Sequence, residues 1–552
     1  MSLSDCIKKG LKAGKPFAEN VVEIVKSQAK RREAAYLASG EQSNGLVPTI
    51  KRVSFHTLGC RLNQSETDVL ARCFEQQGYK VVPETEAADI CVINTCTVTE
   101  HSDAKNRHAI RTLHRLNPEA MITVVGCYAQ INPQAIARID GVQLVIGSEE
   151  KMRITDYLEQ VDPAGPPLIV RPKISKNTFN APVVPHSFSL PTYNKPDLVH
   201  AQQQLTEEGH IYSSKAADIQ FKLKEKEDGH SSQSIIASTH TNPAESVRNF
   251  ENAPLLQNTR ASLKIQDGCD FMCSFCIIPF ARGRSRYREF QNLQEEATML
   301  VKEGAREIVI TGVNVGTYQI GKLTIVDVID YLNSLPGLAR IRISSIEPTT
   351  VPEILFQYMN DQQHKLVPFF HLPVQSGDDT ILKKMKRRYT AAQYADEIWR
   401  AFETVQDLCI GTDVMVGFPE ESESEFENTF NLLNKMPLTY FHVFPFSARE
   451  GTPAFQLKEQ IHPQIKQKRS ERLRELSTKK RSAFHQRFLG ETRNVLWESR
   501  KPDATVSGYT DNFIRVVLDE AHETELRNQL LAVKLTGIKG QTMLGKISLG
   551  AC

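Results

Sequence analysis

Residues 264–276 read Lys-Ile-Gln-Asp-Gly-Cys269-Asp-Phe-Met-Cys273-Ser-Phe-Cys276, and this stretch decides the fold. It closes an apolar, strand-like run and brings three thiols within eight residues. A structural zinc site is closed by four ligands, commonly two Cys-x-x-Cys pairs. No fourth Cys or His stands near enough in the sequence to complete one. Iron–sulfur clusters are also normally held by four cysteines. Three thiolates therefore point to a cubane with one iron open to a further ligand. The competing reading is three ordinary core cysteines, which the clustering disfavours because free cysteines scatter through cores.

Downstream of this loop the chain repeats strand and helix. Strands are expected at Ser262–Gln266, Glu307–Gly312, Ala339–Ile346, Phe369–Val374, Cys409–Val416 and Tyr440–Phe444, with helices at Asn292–Lys302, Val326–Leu335, Ala391–Thr404 and Glu423–Met436. Six such units are too few for an eight-stranded barrel, so an open, partial barrel is expected. Barrels of this kind carry their chemistry at the C-terminal strand ends, where Cys269, Gly312, Glu347, Gln375 and Gly417 fall. A charged helix over Pro463–Phe488 follows, and Thr492–Ile547 alternates short apolar runs with turns, as a small β-barrel does.

Upstream, the same alternation predicts a doubly wound α/β domain with a parallel sheet. Its strands are Val53–Cys60, Asp89–Cys96, Met121–Cys127 and Gln143–Gly147, its helices Glu66–Gln77 and Ala104–Leu116. Cys60, Cys96 and Cys127 close three different strands, 36 and 31 residues apart. Ligands bind at that edge of an open parallel sheet, so the three thiols are candidate metal ligands. Cys73 and Cys91 read as core.

The 552 residues exceed one ordinary domain, and 40% hydrophobic with 24% charged residues is a globular composition. A net charge of +2 requires any nucleic-acid surface to be local. Eleven cysteines, an odd number, fit reduced metal-holding thiols better than a disulfide framework. The absence of an eighteen-residue apolar run and of a secretory leader gives a cytoplasmic, non-membrane expectation. The expected organisation is a polar, basic extension over 1–49, the α/β domain over 50–160, a disordered insertion over 161–255, the partial barrel over 256–485 and the small barrel over 486–552. A helix over Phe17–Tyr36 is expected within the extension.

Several motifs together resemble the radical S-adenosylmethionine (SAM) methylthiotransferases. They are Cys269-x-x-x-Cys273-x-x-Cys276 with Phe275, Thr57-Leu-Gly-Cys-Arg-Leu-Asn-Gln-Ser-Glu66, Asn94-Thr-Cys-Thr-Val-Thr and Gly126-Cys-Tyr-Ala-Gln. Ile310-Thr-Gly-Val-Asn-Val-Gly316, Ser344-Ser-Ile-Glu-Pro348, Gln375-Ser-Gly, Lys384-Met-Lys-Arg-Arg-Tyr-Thr390 and Phe441-His-Val-Phe-Pro-Phe-Ser-Ala-Arg-Glu-Gly-Thr-Pro-Ala454 complete the set. The resemblance covers about residues 52–150 and 258–549, and the last domain is similar to the TRAM module, an RNA-binding barrel. The N-terminal motifs look most like the branch acting on N6-threonylcarbamoyladenosine in tRNA. Arg61 stands where that branch commonly has lysine.

The resemblance implies two [4Fe–4S] clusters and SAM. Cys269, Cys273 and Cys276 would hold the cluster that cleaves SAM, and Cys60, Cys96 and Cys127 the one that gives up sulfur. Phe275, Gly312, Asn314, Glu347 and Gln375 are candidate SAM-pocket residues, each with a purely structural alternative. A flavodoxin- or ferredoxin-like donor would supply electrons, and a tRNA anticodon loop would be the partner. Arg282-Gly-Arg-Ser-Arg-Tyr-Arg288 and Lys383-Lys-Met-Lys-Arg-Arg-Tyr389 mix cations with tyrosine as single-stranded RNA binding requires. The alternatives are isopentenyladenosine in tRNA or a ribosomal-protein aspartate as substrate, and a non-enzymatic RNA-binding iron–sulfur protein.

Overall fold

The computed structural model describes residues 50–185, 259–498, 505–519 and 525–548. The expected Phe17–Tyr36 helix and segment 186–255 lie outside the described residues.

The first sheet contains β1 (Arg52–Thr57), β2 (Lys80–Val82), β3 (Ile90–Thr95), β4 (Met121–Gly126), β5 (Val142–Ile146) and β6 (Leu168–Val170), all parallel, in the order β2-β1-β3-β4-β5-β6. Every residue of β3 is buried, as a strand covered on both faces must be. Strand order reverses between β1 and β3, which opens a crevice beyond their C-terminal ends.

Two boundaries differ from expectation. The first helix runs Arg61–Gln76 rather than starting at Glu66, because its opening turn is buried through polar contacts that apolar periodicity does not register. The second, Glu100–Leu116, begins where the Thr99 side chain accepts a hydrogen bond from the Ser102 amide. A correction applies to the expected insertion over 161–255. Residues 161–185 belong to the fold: β6 pairs with β5, Phe179 bridges Arg288, and Ala181 exchanges two hydrogen bonds with Asn292. A three-residue, half-exposed edge strand is too short to show alternation.

The central domain holds β7 (Arg260–Lys264), β8 (Gln266–Asp267), β9 (Arg286–Tyr287), β10 (Glu307–Thr311), β11 (Gln319–Ile320), β12 (Leu323–Thr324), β13 (Arg340–Ile343), β14 (Phe369–His371), β15 (Cys409–Val416) and β16 (Tyr440–Pro445). Two parallel three-stranded sheets, β7-β10-β13 and β14-β15-β16, meet through a parallel bridge between Ile341 and Leu366. The result is the expected six-stranded partial barrel, open between β7 and β16. Helices Phe290–Lys302, Ile325–Ser334, Ala391–Thr404 and Glu423–Lys435 bury their apolar sides in one core with Leu263, Ile308, Ile341, Phe370 and Ile410. Capping boxes start the last three of these helices at Thr324, Thr390 and Ser422. The Arg61–Gln76 helix lies against β7, with Ser65 Oγ 3.5 Å from the Ser262 carbonyl.

A closed barrel of β17 (Thr492–Trp497), β18 (Ser507–Thr510), β19 (Arg515–Leu518), β20 (Leu530–Lys539) and β21 (Thr542–Ile547) ends the chain. It docks beneath the partial barrel, where Arg340 donates to the carbonyls of Tyr509 and Asn494, and Arg342 to that of Asp511. Among the described residues no helix is long and apolar enough to cross a membrane.

Candidate active site

The first trio forms at the crevice of the N-terminal sheet. Cys60 caps the Arg61–Gln76 helix after β1, Cys96 follows β3 directly, and Cys127 follows β4 and opens a short helix, Cys127–Ile131. Burial first, then the charges of Cys60 and Cys127, push the Cys96 thiol up to about 12. Burial likewise raises the Cys127 thiol, and buried thiols of this kind give up their protons when metal charge replaces them. Asn63 frames the site, its Nδ2 donating to the carbonyls of Leu58 (2.9 Å) and Thr95 (3.0 Å).

Gly59 makes this approach feasible. Its φ is +104°, and a Cβ there would lie 2.3 Å from Cys96 Cβ and 2.9 Å from Cys96 Sγ. Gly59→Ala is expected to displace Cys96 and lower the iron bound by this trio, read as iron per chain after anaerobic reconstitution. Unchanged iron content would show that Cys96 is not held by this contact.

The second trio lies on the loop after β8, turned by Met272 at φ +51°. The Cys276 amide donates to the Cys273 carbonyl (3.1 Å), the Phe271 amide to Cys269 Sγ (3.4 Å), and Arg387 Nη1 to Cys273 Sγ (3.4 Å). Burial, reinforced by the Cys273 and Cys269 charges, pushes the Cys276 thiol up to about 12. Ser274 pins the loop: its amide and hydroxyl donate to the carbonyls of Met385 and Lys384.

The other candidates occupy different settings. Gly312 follows β10 and lies against Gln266, whose Oε1 accepts from the amides of Val313 and Asn314. Asn314 is buried, and its Nδ2 has no partner among the described residues. Glu347 is ion-paired with Arg387, which joins it to Cys273; burial raises its carboxyl above the usual range despite that cation. Gln375 bridges to Val414 at φ +68°, a conformation that a non-glycine residue adopts only when its surroundings impose it. Phe275 is half-buried against Ile381, Met385, Phe418, Phe446 and Ala454.

Sequence reasoning missed two features. The first is a buried ionic network between the α/β domain and the barrel. Arg282 donates to Glu66 Oε1 (3.0 Å) and Oε2 (3.1 Å), to Asp267 (3.1 Å) and to Asn63 Oδ1 (2.6 Å). Lys151 and Lys264 also pair with Glu66. Burial alone would raise the Glu66 carboxyl, but Arg282, Lys151 and Lys264 hold it well below the usual carboxylate range. Arg282 also acts on Cys127, where its charge offsets part of the rise that burial imposes on the thiol. A second tie, Arg449 to Asp103 (2.7 Å) and Thr97 (2.6 Å), joins the far side of the Cys96 turn to the barrel.

The other missed feature is in the barrel lumen. His371 on β14, Asp413 on β15 and His442 on β16 bring three donor atoms within 4.8 Å of one another. Against the penalty of burial, the two imidazoles hold Asp413 well below the usual carboxylate range. The set adjoins the other candidates: the Ser345 hydroxyl, two residues before Glu347, lies 3.0 Å from His371 Nδ1, and the Gln375 amide donates to the Asp413 carbonyl at 2.9 Å. The available signal was the period-2 spacing of Tyr440, His442 and Phe444 on a strand.

The expectation that Arg282–Arg288 meets RNA is corrected. Arg282, Arg286 and Arg288 are buried and paired with Glu66, Glu149 and Glu296, leaving only Arg284 exposed among the arginines of the stretch. The Pro463–Arg487 helix likewise spends Arg469 and Arg472 on Glu421, Glu423 and Glu427 of the barrel. Lys383, Lys386 and Arg388 in the other basic stretch are exposed.

Residues 52–147 match the uncharacterized protein family UPF0004, and residues 263–433 match the radical SAM superfamily. The chain is 32% identical over 472 residues to the threonylcarbamoyladenosine tRNA methylthiotransferase MtaB of Bacillus subtilis, covering 84% of this chain and 90% of the relative. It is 32% identical over 446 residues to MtaB of Aquifex aeolicus, covering 81% and 92%. It is 26% identical to the tRNA-2-methylthio-N(6)-dimethylallyladenosine synthase of Ehrlichia canis, covering 90% and all of that chain. The cofactors are [4Fe–4S] clusters and SAM, and the two thiol trios are donor sets suited to clusters with one iron left open. Fold, paired trios and relatives agree: the chain belongs to the radical-SAM methylthiotransferase family, enzymes that transfer sulfur-containing groups.

Proposed function

We propose that the protein methylthiolates N6-threonylcarbamoyladenosine beside the anticodon of tRNA. The observation that carries this reading is the pair of three-thiol sets on two domains locked together by the Glu66–Arg282 network. The adenine carbon that receives sulfur bears an unactivated C–H bond, beyond any side-chain base. Bound clusters and SAM supply the radical, the sulfur and the methyl group that side chains lack.

The chain's own residues bind and orient. Cys269, Cys273 and Cys276 hold the SAM-cleaving cluster, and Cys60, Cys96 and Cys127 the sulfur-bearing one. Gly312, Asn314, Glu347, Gln375 and Phe275 border the SAM site, with the free Asn314 amide available as a donor to it. Arg387 holds Cys273 and Glu347 in register. Exposed Lys383, Lys386 and Arg388 face the phosphates of a single-stranded loop. A flavodoxin- or ferredoxin-like protein delivers electrons.

Mass spectrometry of nucleosides from tRNA, with and without the gene, tests this. Loss of the methylthio group from the threonylcarbamoyl nucleoside is expected. Loss from the dimethylallyl nucleoside instead would reassign the substrate, and a protein that forms no 5′-deoxyadenosine from SAM under strong reductant would not be an enzyme of this kind.

A further inference from the structure

His371, Asp413 and His442 share the inner face of the partial barrel. Side chains alternate along a strand, and Thr412 accepts a hydrogen bond at 3.0 Å from Tyr394 of the covering Ala391–Thr404 helix. Asp413 therefore points the other way, into the lumen, on the same face as Cys409 and Gly411. Two residues before each histidine on its strand stand Phe369 and Tyr440, which pack with Cys409 in one buried core with Trp497 of the terminal barrel. A Cβ on Gly411 would lie 2.4 Å from the Tyr440 ring, so that ring closes the lumen below the triad. In the register of the sheet, Asp413 is the direct neighbour of His442 and Gly411 that of His371.

The distances are those of ligands to one centre. Asp413 Oδ1 lies 3.3 Å from His371 Nε2 and 3.2 Å from His442 Nδ1. Atoms bound about 2.1 Å from a tetrahedral ion stand about 3.4 Å apart. His371 is 6% exposed, and its Nε2 has no hydrogen-bond partner among the described residues, close as the carboxylate is. Buried side-chain nitrogens are nearly always satisfied, so this one calls for a ligand. The other ring nitrogen, Nδ1, is 3.0 Å from the Ser345 hydroxyl. A hydrogen bond donated there by Nδ1 leaves the Nε2 lone pair free to bind a metal, the usual way a ligating imidazole is fixed.

We propose that His371 Nε2, Asp413 Oδ1 and His442 Nδ1 bind one divalent transition-metal ion, a third metal site separate from both thiol trios. Two imidazoles and a carboxylate suit zinc and its first-row neighbours, whereas calcium and magnesium take oxygen ligands. Three protein ligands leave a position open, as in sites that bind or activate a ligand and unlike closed structural sites. The His442 side chain is 52% exposed and that of His371 only 7%. The ion and its fourth ligand, a water or another oxygen donor, therefore enter on the His442 side.

The test is equilibrium dialysis of the cluster-loaded full chain against buffered zinc, with zinc and iron per chain measured on the same sample. Loaded clusters occupy the thiols, so zinc taken up without loss of iron is bound elsewhere. The unaltered protein is expected to take up about one zinc per chain at unchanged iron content. Zinc X-ray absorption should then show nitrogen and oxygen ligands at about 2.0–2.2 Å and no sulfur at about 2.3 Å. His442→Ala and Asp413→Asn are each expected to weaken binding more than about a hundredfold, and Ser345→Ala, which frees the His371 ring, about tenfold. Should Asp413→Asn fail to fold, His442→Ala decides, because its side chain is half exposed and its loss leaves the core intact. No zinc uptake by the unaltered protein, uptake only as iron is lost, a sulfur shell, or full binding by His442→Ala overturns the proposal.

Discussion

Cys273→Ala is expected to abolish both SAM cleavage and the methylthio product, whereas Cys96→Ala removes the product and leaves cleavage measurable. The argument is one of separate supports. Cys273 lies on the loop after β8, with Arg387 on its sulfur and Glu347 beyond. Cys96 stands on another domain, buried between Gly59 and the Asn63 and Asn106 side chains. Each set has three thiols and no described spare to replace a lost one. On the proposed assignment, electron entry and SAM cleavage would require only the barrel set, and sulfur delivery the other. Production of 5′-deoxyadenosine and of methylthiolated nucleoside, measured on the same sample, reads the two apart. A Cys96→Ala protein with full product formation would refute the assignment of the N-terminal trio.

Glu66→Ala is expected to have the largest effect on stability. Glu66 is 1% exposed and is the shared partner of Arg282, Lys151 and Lys264. Removing it strands these cations in the interface, and breaking a buried ion pair costs about 3–5 kcal/mol. The thermal midpoint should fall, and the domain boundary should become susceptible to proteolysis. Loading of the N-terminal cluster should weaken too, because Arg282 also fixes Asn63, which holds the Leu58 and Thr95 carbonyls beside the thiols. A melting point within experimental error of the parent would show that the network contributes little.

The same network sets a pH dependence. Glu66 and Asp267 both titrate below their ordinary values when folded: burial opposes this, and the surrounding lysines and Arg282 outweigh it. A carboxyl depressed by folding contributes stability that is complete above its unfolded value, about 4.5 for Glu66, and is lost as pH falls below it. Acid destabilisation beginning below about pH 4.5 is expected, and Glu66→Gln should flatten it.

Apolar periodicity read the architecture well where strands and helices are long and one-sided. Helix Ala391–Thr404 and strand Cys409–Val416 have the boundaries expected from their residues. It failed on β6, which is three residues long, and on the first turn of the Arg61–Gln76 helix, which is buried by polar contacts. The six cysteines were legible as two trios because a tight cluster and three strand ends are both local patterns.

Charge partnership was not legible. Arg282-Gly-Arg-Ser-Arg-Tyr-Arg288 has the composition of an RNA-binding strip, yet Arg282, Arg286 and Arg288 are anchored inside the protein. Glu66 and Arg282 are 216 residues apart, and nothing in either neighbourhood names the other. Local sequence carries backbone preference and the side on which apolar groups fall, since both act over a few residues. Whether a cation meets a buried carboxylate, a phosphate or nothing depends on which distant segments the completed fold brings to it. That is why the thiol trios could be seen in the chain, while the pairing of Arg282 with Glu66 emerges only from the folded domains.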